Sequence, residues 1–171
     1  MKHIIYLLLI ILVPNLISCA GDSQCTQSKY VMLEAGLYHV SYNDITKTYT
    51  TSTLTIDSLT VQGIKRDTVT GKEFPVDSLL YNNSKSVSKI FLPLNKSKLV
   101  NESKFAITFN NTIDTITIFH TNHDDYLSLE CGCIKTHSID TVSTTNHFID
   151  SVRIVIHNVN TTNAEHIHIY N

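Results

Sequence analysis

The residues best suited to chemistry in this chain are its histidines, nine in 171 residues. Three of them, His157, His166 and His168, fall close together near the end. If Asn160 to Asn163 forms the loop of a terminal hairpin, Val159 opposes Ala164 and His157 opposes His166. Ile154 and Ile156 then face Ile167 and Ile169 inward, while Arg153, Val155, His157, His166, His168 and Tyr170 share the opposite face. Three imidazoles on one side of two neighbouring strands are a donor set for a transition metal such as Zn or Cu. The plainer reading is a solvated sheet face on which His is tolerated, because no carboxylate or thiol is placed to complete the shell. Oxygen donors for calcium occur together at Asn122-His123-Asp124-Asp125, but the spacing is not that of an EF-hand loop and a polar hairpin tip accounts for it. There is no Gly-x-Ser-x-Gly, no His-Glu-x-x-His, no glycine loop to cradle phosphate and no evident carboxylate pair. A Ser, His and Asp set could be assembled from so many candidates that it would carry no information. No catalytic residue is assigned.

A second recurrent pattern is Asp, then Ser or Thr, then an aliphatic residue. It presents Ser58, Thr68, Ser78, Thr115, Thr141 and Ser151 in six copies. The pattern looks like the acceptor for periplasmic O-glycosylation in Bacteroidota, which requires the hydroxyl to be exposed. A structural account serves equally: Asp ends a turn, the hydroxyl residue enters a strand and the aliphatic takes the first core position. The Asn-x-Ser/Thr triplets at Asn82, Asn95, Asn101, Asn110 and Asn160 read as turn composition.

Four cysteines remain to be placed. The chain opens with Met1-Lys2-His3, runs apolar from Ile4 to Val13 and reaches Leu16-Ile17-Ser18-Cys19. A basic start, an apolar run too short to span a bilayer comfortably and a small residue before the cut site describe a secretory signal. Leu-Ile-Ser-Cys resembles the bacterial lipobox, in which the Cys thiol takes a diacylglyceryl group, the signal is removed and the new amino terminus is acylated. Several acyl chains at roughly 0.8 kcal/mol per buried CH2 hold far more firmly than one. The expected organisation is therefore a signal peptide over 1–18, a lipidated Cys19 with a polar tether over 19–28 and a domain over 29–171. That leaves Cys25, Cys131 and Cys133. Cys131 and Cys133 face the same way on a strand but lie too far apart to bridge, so one of them bonds Cys25. Closing so long a loop is worth about 2–4 kcal/mol.

Without the signal, about 150 residues suffice for one domain with its own core. A formal net charge of -2 with scattered Lys and Arg offers no footprint for nucleic acid. The chain is rich in Thr, Ser, Ile, Asn and Asp, which favours strands separated by turns.

Strand patterns follow one another from Lys29. Tyr30 to Val40 is apolar and aromatic, with Gly36 as an expected bulge. Thr51 to Ile64 changes its alternating register part-way, the mark of a bulge or bend. Asp77 to Tyr81 and Val87 to Leu92 flank a turn at Asn82-Asn83-Ser84-Lys85. Phe105, Ile107 and Phe109 alternate into Asn110-Asn111, and Ile116 with Ile118 continues beyond, which signals a hairpin. Tyr126 to Ile134, Ile139 to Val142, Phe148 to Ile156 and His166 to Tyr170 complete the series. No window has a helical period. The expected fold is all-β: a single antiparallel β-sandwich, immunoglobulin-like in general form.

The order Gly36-Leu37-Tyr38, Asp57-Ser58-Leu59-Thr60-Val61, Asp77-Ser78-Leu79-Leu80-Tyr81-Asn82-Asn83, Phe91-Leu92-Pro93-Leu94, Asp114-Thr115-Ile116-Thr117, Cys131-Gly132 and Asp150-Ser151-Val152, ending in Asn163-Ala164-Glu165-His166-Ile167-His168-Ile169-Tyr170, resembles small Bacteroidota lipoproteins grouped only as a domain of unknown function. The resemblance implies a lipid anchor, a β-sandwich and a disulfide from an early Cys to the Cys-Gly, here Cys25 and Cys131. It implies no activity. This chain departs from the family at Cys133, where an aromatic residue is expected. In such lipoproteins an acidic cluster just after the Cys accompanies surface display. Here only Asp22 is acidic, which points to an outer-membrane anchor facing the periplasm. The expected role is a non-enzymatic envelope module with a protein or glycan partner, found through its edge strands.

Overall fold

The computed structural model describes residues 25–26, 28–67 and 69–171. The expected signal over 1–18, lipidation at Cys19, most of the tether and the acceptor Thr68 lie outside them.

Strand formation follows from alternation. In Glu102–Phe109, Ser103, Phe105, Ile107 and Phe109 are buried while the residues between them are half-exposed, so one face meets a core and the other meets water. Eleven strands form in this way among the described residues, with no helix: β1 (Leu33–Asn43), β2 (Thr48–Thr53), β3 (Leu59–Arg66), β4 (Glu73–Ser84), β5 (Lys89–Leu92), β6 (Glu102–Phe109), β7 (Thr112–Ser128), β8 (Gly132–Thr144), β9 (Ser151–Ile154), β10 (Asn158–Val159) and β11 (Ile167–Tyr170). They make two sheets. The first runs β2-β1-β11-β9, with β5 also paired to β1, and the second runs β10-β8-β7-β6-β3-β4. All pairings are antiparallel except β1 with β11, which is parallel and joins an early strand to the last one. The two inner faces meet in one core. Leu33, Ala35, Leu37, Ile90, Leu92, Ile167 and Ile169 come from the first sheet, and Leu59, Val61, Phe105, Ile107, Phe109, Ile116, Ile118 and Ile139 from the second. The fold is the all-β sandwich that the sequence predicts.

The β6–β7 hairpin forms as expected, with Phe109 opposite Thr112 and Asn110 at a φ of 53° in the turn. Four local expectations are corrected. Gly36 is no bulge: it pairs in unbroken register with His168 on one side and Lys89 on the other. Its value is space, because a Cβ there would stand 2.6 Å from the Glu165 carboxylate and 2.8 Å from the Tyr38 ring. The register change in Thr51 to Ile64 is a strand break. β2 and β3 belong to different sheets, joined by a crossing in which Ile56 bridges Val87. Asn122 to Asp125 is no hairpin tip, for it lies inside β7 and pairs with His137 to Ile134 of β8. The true tip falls after Ser128, inside the stretch expected as a strand from Tyr126 to Ile134.

The expected terminal hairpin is also corrected. The strands that do pair sit two residues away from the expected register: Ile167 opposes Ile154 where pairing His157 with His166 would put it opposite Ile156. Beyond Ile154 the chain leaves the sheet, since the amides of Val155 and Ile156 both donate to the His166 carbonyl. Val159 then pairs with His137 of the second sheet instead of Ala164. The cause is burial: Val159 is fully enclosed in the common core, whereas Val155 and Ile156 are exposed.

Candidate functional site

That crossing separates the three histidines proposed as a metal set. His157 goes with the second sheet, where its Nδ1 lies 2.6 Å from the Ile139 carbonyl oxygen. His166 stays with the first sheet, 1% exposed, and its Nδ1 accepts the backbone N–H of Glu34 at 3.0 Å. That bond occupies one ring nitrogen, and burial pushes the imidazole below its ordinary pKa. His168 opposes Arg153 and sets its Nε2 3.1 Å from Glu165 Oε2. Among the described residues no group of three His, Cys, Asp or Glu side chains is placed to hold a metal ion.

His168 instead belongs to a polar cluster built over Gly36. Alternation along β1 turns Leu33, Ala35 and Leu37 inward, so Glu34, Gly36 and Tyr38 occupy the outer face. Lys89 Nζ bonds Glu34 at 2.9 Å and Glu165 at 2.8 Å, and the Tyr38 hydroxyl donates to Glu165 at 2.6 Å. The ring centroids of Tyr38 and His168 are 4.5 Å apart. Lys89 and Tyr38 together hold the Glu165 carboxyl below the usual carboxylate range, and the same carboxylate raises the Tyr38 phenol and the Lys89 ammonium. Each charge is matched by a neighbour. The cluster ties β1, β5 and the start of β11 together and leaves no group activated for proton transfer or attack.

A second polar group lies on β6, β7 and β8 of the second sheet, bonded to the segment 95–97. Asn122 Oδ1 sits 2.9 Å from His120 Nδ1 and 2.6 Å from His137 Nδ1, which assigns the ring proton of each to Nδ1. His120 Nε2 is 2.8 Å from the Ser103 hydroxyl. His137 Nε2 is buried without a partner. Burial and the neighbouring His120 push His137 down to about 4, so it is neutral at ordinary pH. The signal in the sequence was a polar residue in an inward register: His120 continues Ile116 and Ile118, and His137 precedes Ile139 by two.

The principal concavity is a groove of about 770 Å³ beside β3, β4 and β6, walled by the segment 93–101. Its lining includes Phe74, Leu80, Pro93, Leu99, Val100 and Phe119. Phe74, Leu80, Leu99 and Phe119 are exposed, Leu99 to 95%. At its rim Lys104 lies 2.7 Å and Arg66 3.1 Å from the same Glu73 oxygen, and Lys65 also lines it. A ligand here would meet apolar surface, the usual character of a binding cleft. β4, which borders the groove, is an edge strand, though Pro75 and three register shifts against β3 interrupt it as a template for another strand. Sequence periodicity did not disclose the groove, because its lining comes from four strands and a loop distant in the chain.

Cys25 bonds Cys131 with an S–S distance of 2.03 Å, closing a sequence separation of 106 residues, while Cys133 is exposed and free. Of the Asp-Ser/Thr sites, Ser78, Thr141 and Ser151 are exposed and Ser58 and Thr115 half-buried. Ser58 donates to Asn83 Oδ1 at 2.5 Å.

These features define a two-sheet β-sandwich stapled by one long-range disulfide, with an apolar groove on one flank. A family model matches residues 59–171, and the chain belongs to that family, described as a family of unknown function (DUF6452). No curated protein and no solved structure matches the chain.

Proposed function

We propose that this protein is a lipid-anchored, non-enzymatic binding module of the cell envelope. Acyl chains on Cys19 hold it to the outer membrane, facing the periplasm, and its ligand is a segment of an envelope protein received in the groove beside β3, β4 and β6. The observation that carries the reading is the bond between Cys25 and Cys131. Cys25 lies six positions after Cys19, so a lipid at that cysteine is joined almost directly to the folded domain. A disulfide also suits an exported chain in an oxidising compartment. The groove favours a protein segment over a glycan because most of its exposed lining is apolar and its Lys104, Arg66 and Glu73 charges pair with one another.

The test places a photo-cross-linking residue at Leu99 in the full-length chain and in its Cys19→Ala variant, in cells fed an alkyne palmitate analogue. The expected result is lipid label on the parent alone and one recurrent envelope protein cross-linked through position 99. An unlabelled parent with the mass of the bare chain would overturn the anchor. Labelled protein with no cross-link through the groove would overturn the ligand site.

A further inference from the structure

The disulfide also selects which end of the sandwich meets the membrane. β6 pairs with β7 only up to Phe119, so the rest of β7, with its β8 partner, projects past β6 and ends in the turn after Ser128. Cys131, in that turn, is the residue bonded to Cys25. Six extended residues reach at most about 20 Å. A lipid on Cys19 therefore lies within that distance of the bridge and cannot swing to the far end of the domain. The opposite end of β7 carries the Asn110-Asn111 turn, and at about 3.3 Å per residue the strand between them is on the order of 50 Å long.

The tip of this turn carries Leu129 and Glu130 where its counterpart carries Asn110 and Asn111. Leu129 is 86% exposed where hairpin turns ordinarily carry Gly, Asn or Asp. Tyr126, 64% exposed, stands beside it opposite Cys133. Tyr30, five residues beyond the bridged Cys25, is 81% exposed. Leucine and tyrosine are suited to the headgroup boundary, where an apolar body is buried and a polar tip stays wet. The chain outside the described residues leads from this point to the proposed anchor.

We propose that the β7–β8 turn is a membrane-contact surface, with Leu129 and Tyr126 entering the lipid headgroup boundary and the sandwich standing with its Asn110-Asn111 end away from the bilayer. The proposal rests on lipid anchoring at Cys19.

The test uses the lipidated full chain reconstituted in phosphatidylethanolamine–phosphatidylglycerol vesicles, with a fluorophore on the exposed Cys133 thiol. A Cys133→Ser, Asn111→Cys variant carries the same dye at the other end. Lipid with a nitroxide high on its acyl chain is the quencher, and vesicle flotation is measured alongside. The expected result is quenching of more than half the Cys133 signal and less than a tenth of the Asn111 signal. In a Leu129→Asp variant, quenching at Cys133 should fall at least threefold while flotation persists. Equal quenching at both ends, no quenching at Cys133, or no effect of Leu129→Asp would overturn the contact surface alone. Protein that does not float with the vesicles would overturn the anchor, and the contact surface with it.

Discussion

Asp114 should carry a larger share of the stability than any other carboxylate described, and the claim can be tested through one substitution. The residue is fully buried. Its Oδ1 accepts the Thr145 hydroxyl at 2.6 Å and the His147 amide at 2.8 Å, and its Oδ2 accepts the amides of Phe148 at 2.7 Å and Ile149 at 2.9 Å. Those bonds hold the segment between β8 and β9 against the end of β7. Asp114→Asn keeps the shape but offers one acceptor oxygen instead of two, so in either orientation its NH2 faces donors. Two unsatisfied buried donors at about 1–3 kcal/mol each predict a loss of roughly 2–6 kcal/mol. In a domain of this size that lowers Tm by about 5–15 °C. Titration gives a separate measure. Burial alone would raise the Asp114 carboxyl, but the bonds from Thr145, His147, Ile149 and Phe148 outweigh it and take it from 3.8 down to about 2. A carboxylate lowered on folding stabilises above its unfolded pKa, and the benefit disappears as pH falls from 3.8 through about 2. The amount is about 2–3 kcal/mol, of the same order as the first figure. Urea unfolding at pH 7 and down to pH 2 reads both. Asp140→Asn is the control, because Asp140 begins the same Asp-Thr-aliphatic pattern but is exposed and should change stability by less than about 0.5 kcal/mol. If Asp114→Asn matched that control, or kept the parent's loss of stability below pH 4, the reasoning would be refuted.

The buried His137, whose Nε2 has no hydrogen-bond partner, predicts a second pH window. Its unfolded form takes up a proton near 6.5 and its folded form only near 4, so stability should fall by about 3 kcal/mol as pH drops through that interval. His137→Leu should flatten this part of a denaturant-midpoint profile, and an unchanged slope would count against it. Cys131→Ser should cost about 2–4 kcal/mol in equilibrium unfolding, and a cost below 1 kcal/mol would show that the unfolded chain gains little freedom from the lost bridge. If the chain is O-glycosylated, glycopeptide mapping should find sugar on the exposed Ser78, Thr141 or Ser151 and not on Thr115, and modification confined to Thr115 would contradict the exposure argument.

What the sequence disclosed depended on the range of the interaction. The β6–β7 hairpin was legible because Phe105, Ile107 and Phe109 alternate straight into an Asn-Asn turn, and neighbouring residues carry the whole instruction. The all-β class was legible for the same reason, repeated along the chain. Non-local choices were not. Nothing near Ile167 says that β11 will lie parallel to β1, and nothing near Thr53 says that the next strand will join the other sheet. The resemblance to an uncharacterised lipoprotein family implied the pairing of Cys25 with Cys131, which spacing alone had left open between Cys131 and Cys133.

The histidine reading failed for an instructive reason. Counting residues back from Asn160 places His157 opposite His166, but β9 and β11 pair two residues away from that register, with Ile154 opposite Ile167, and the chain then crosses the core to bury Val159. His157 and His166 then serve opposite sheets, each with a ring nitrogen bonded to a backbone group. Residue types suited to chemistry are thus used here to satisfy the backbone and the core. The two surfaces proposed above for contact, the apolar groove beside β4 and the Leu129 turn, both present side chains that internal bonding has not used. Leu99 in the groove and Leu129 in the turn are among the most exposed apolar side chains described, and the groove forms only when strands distant in sequence come together.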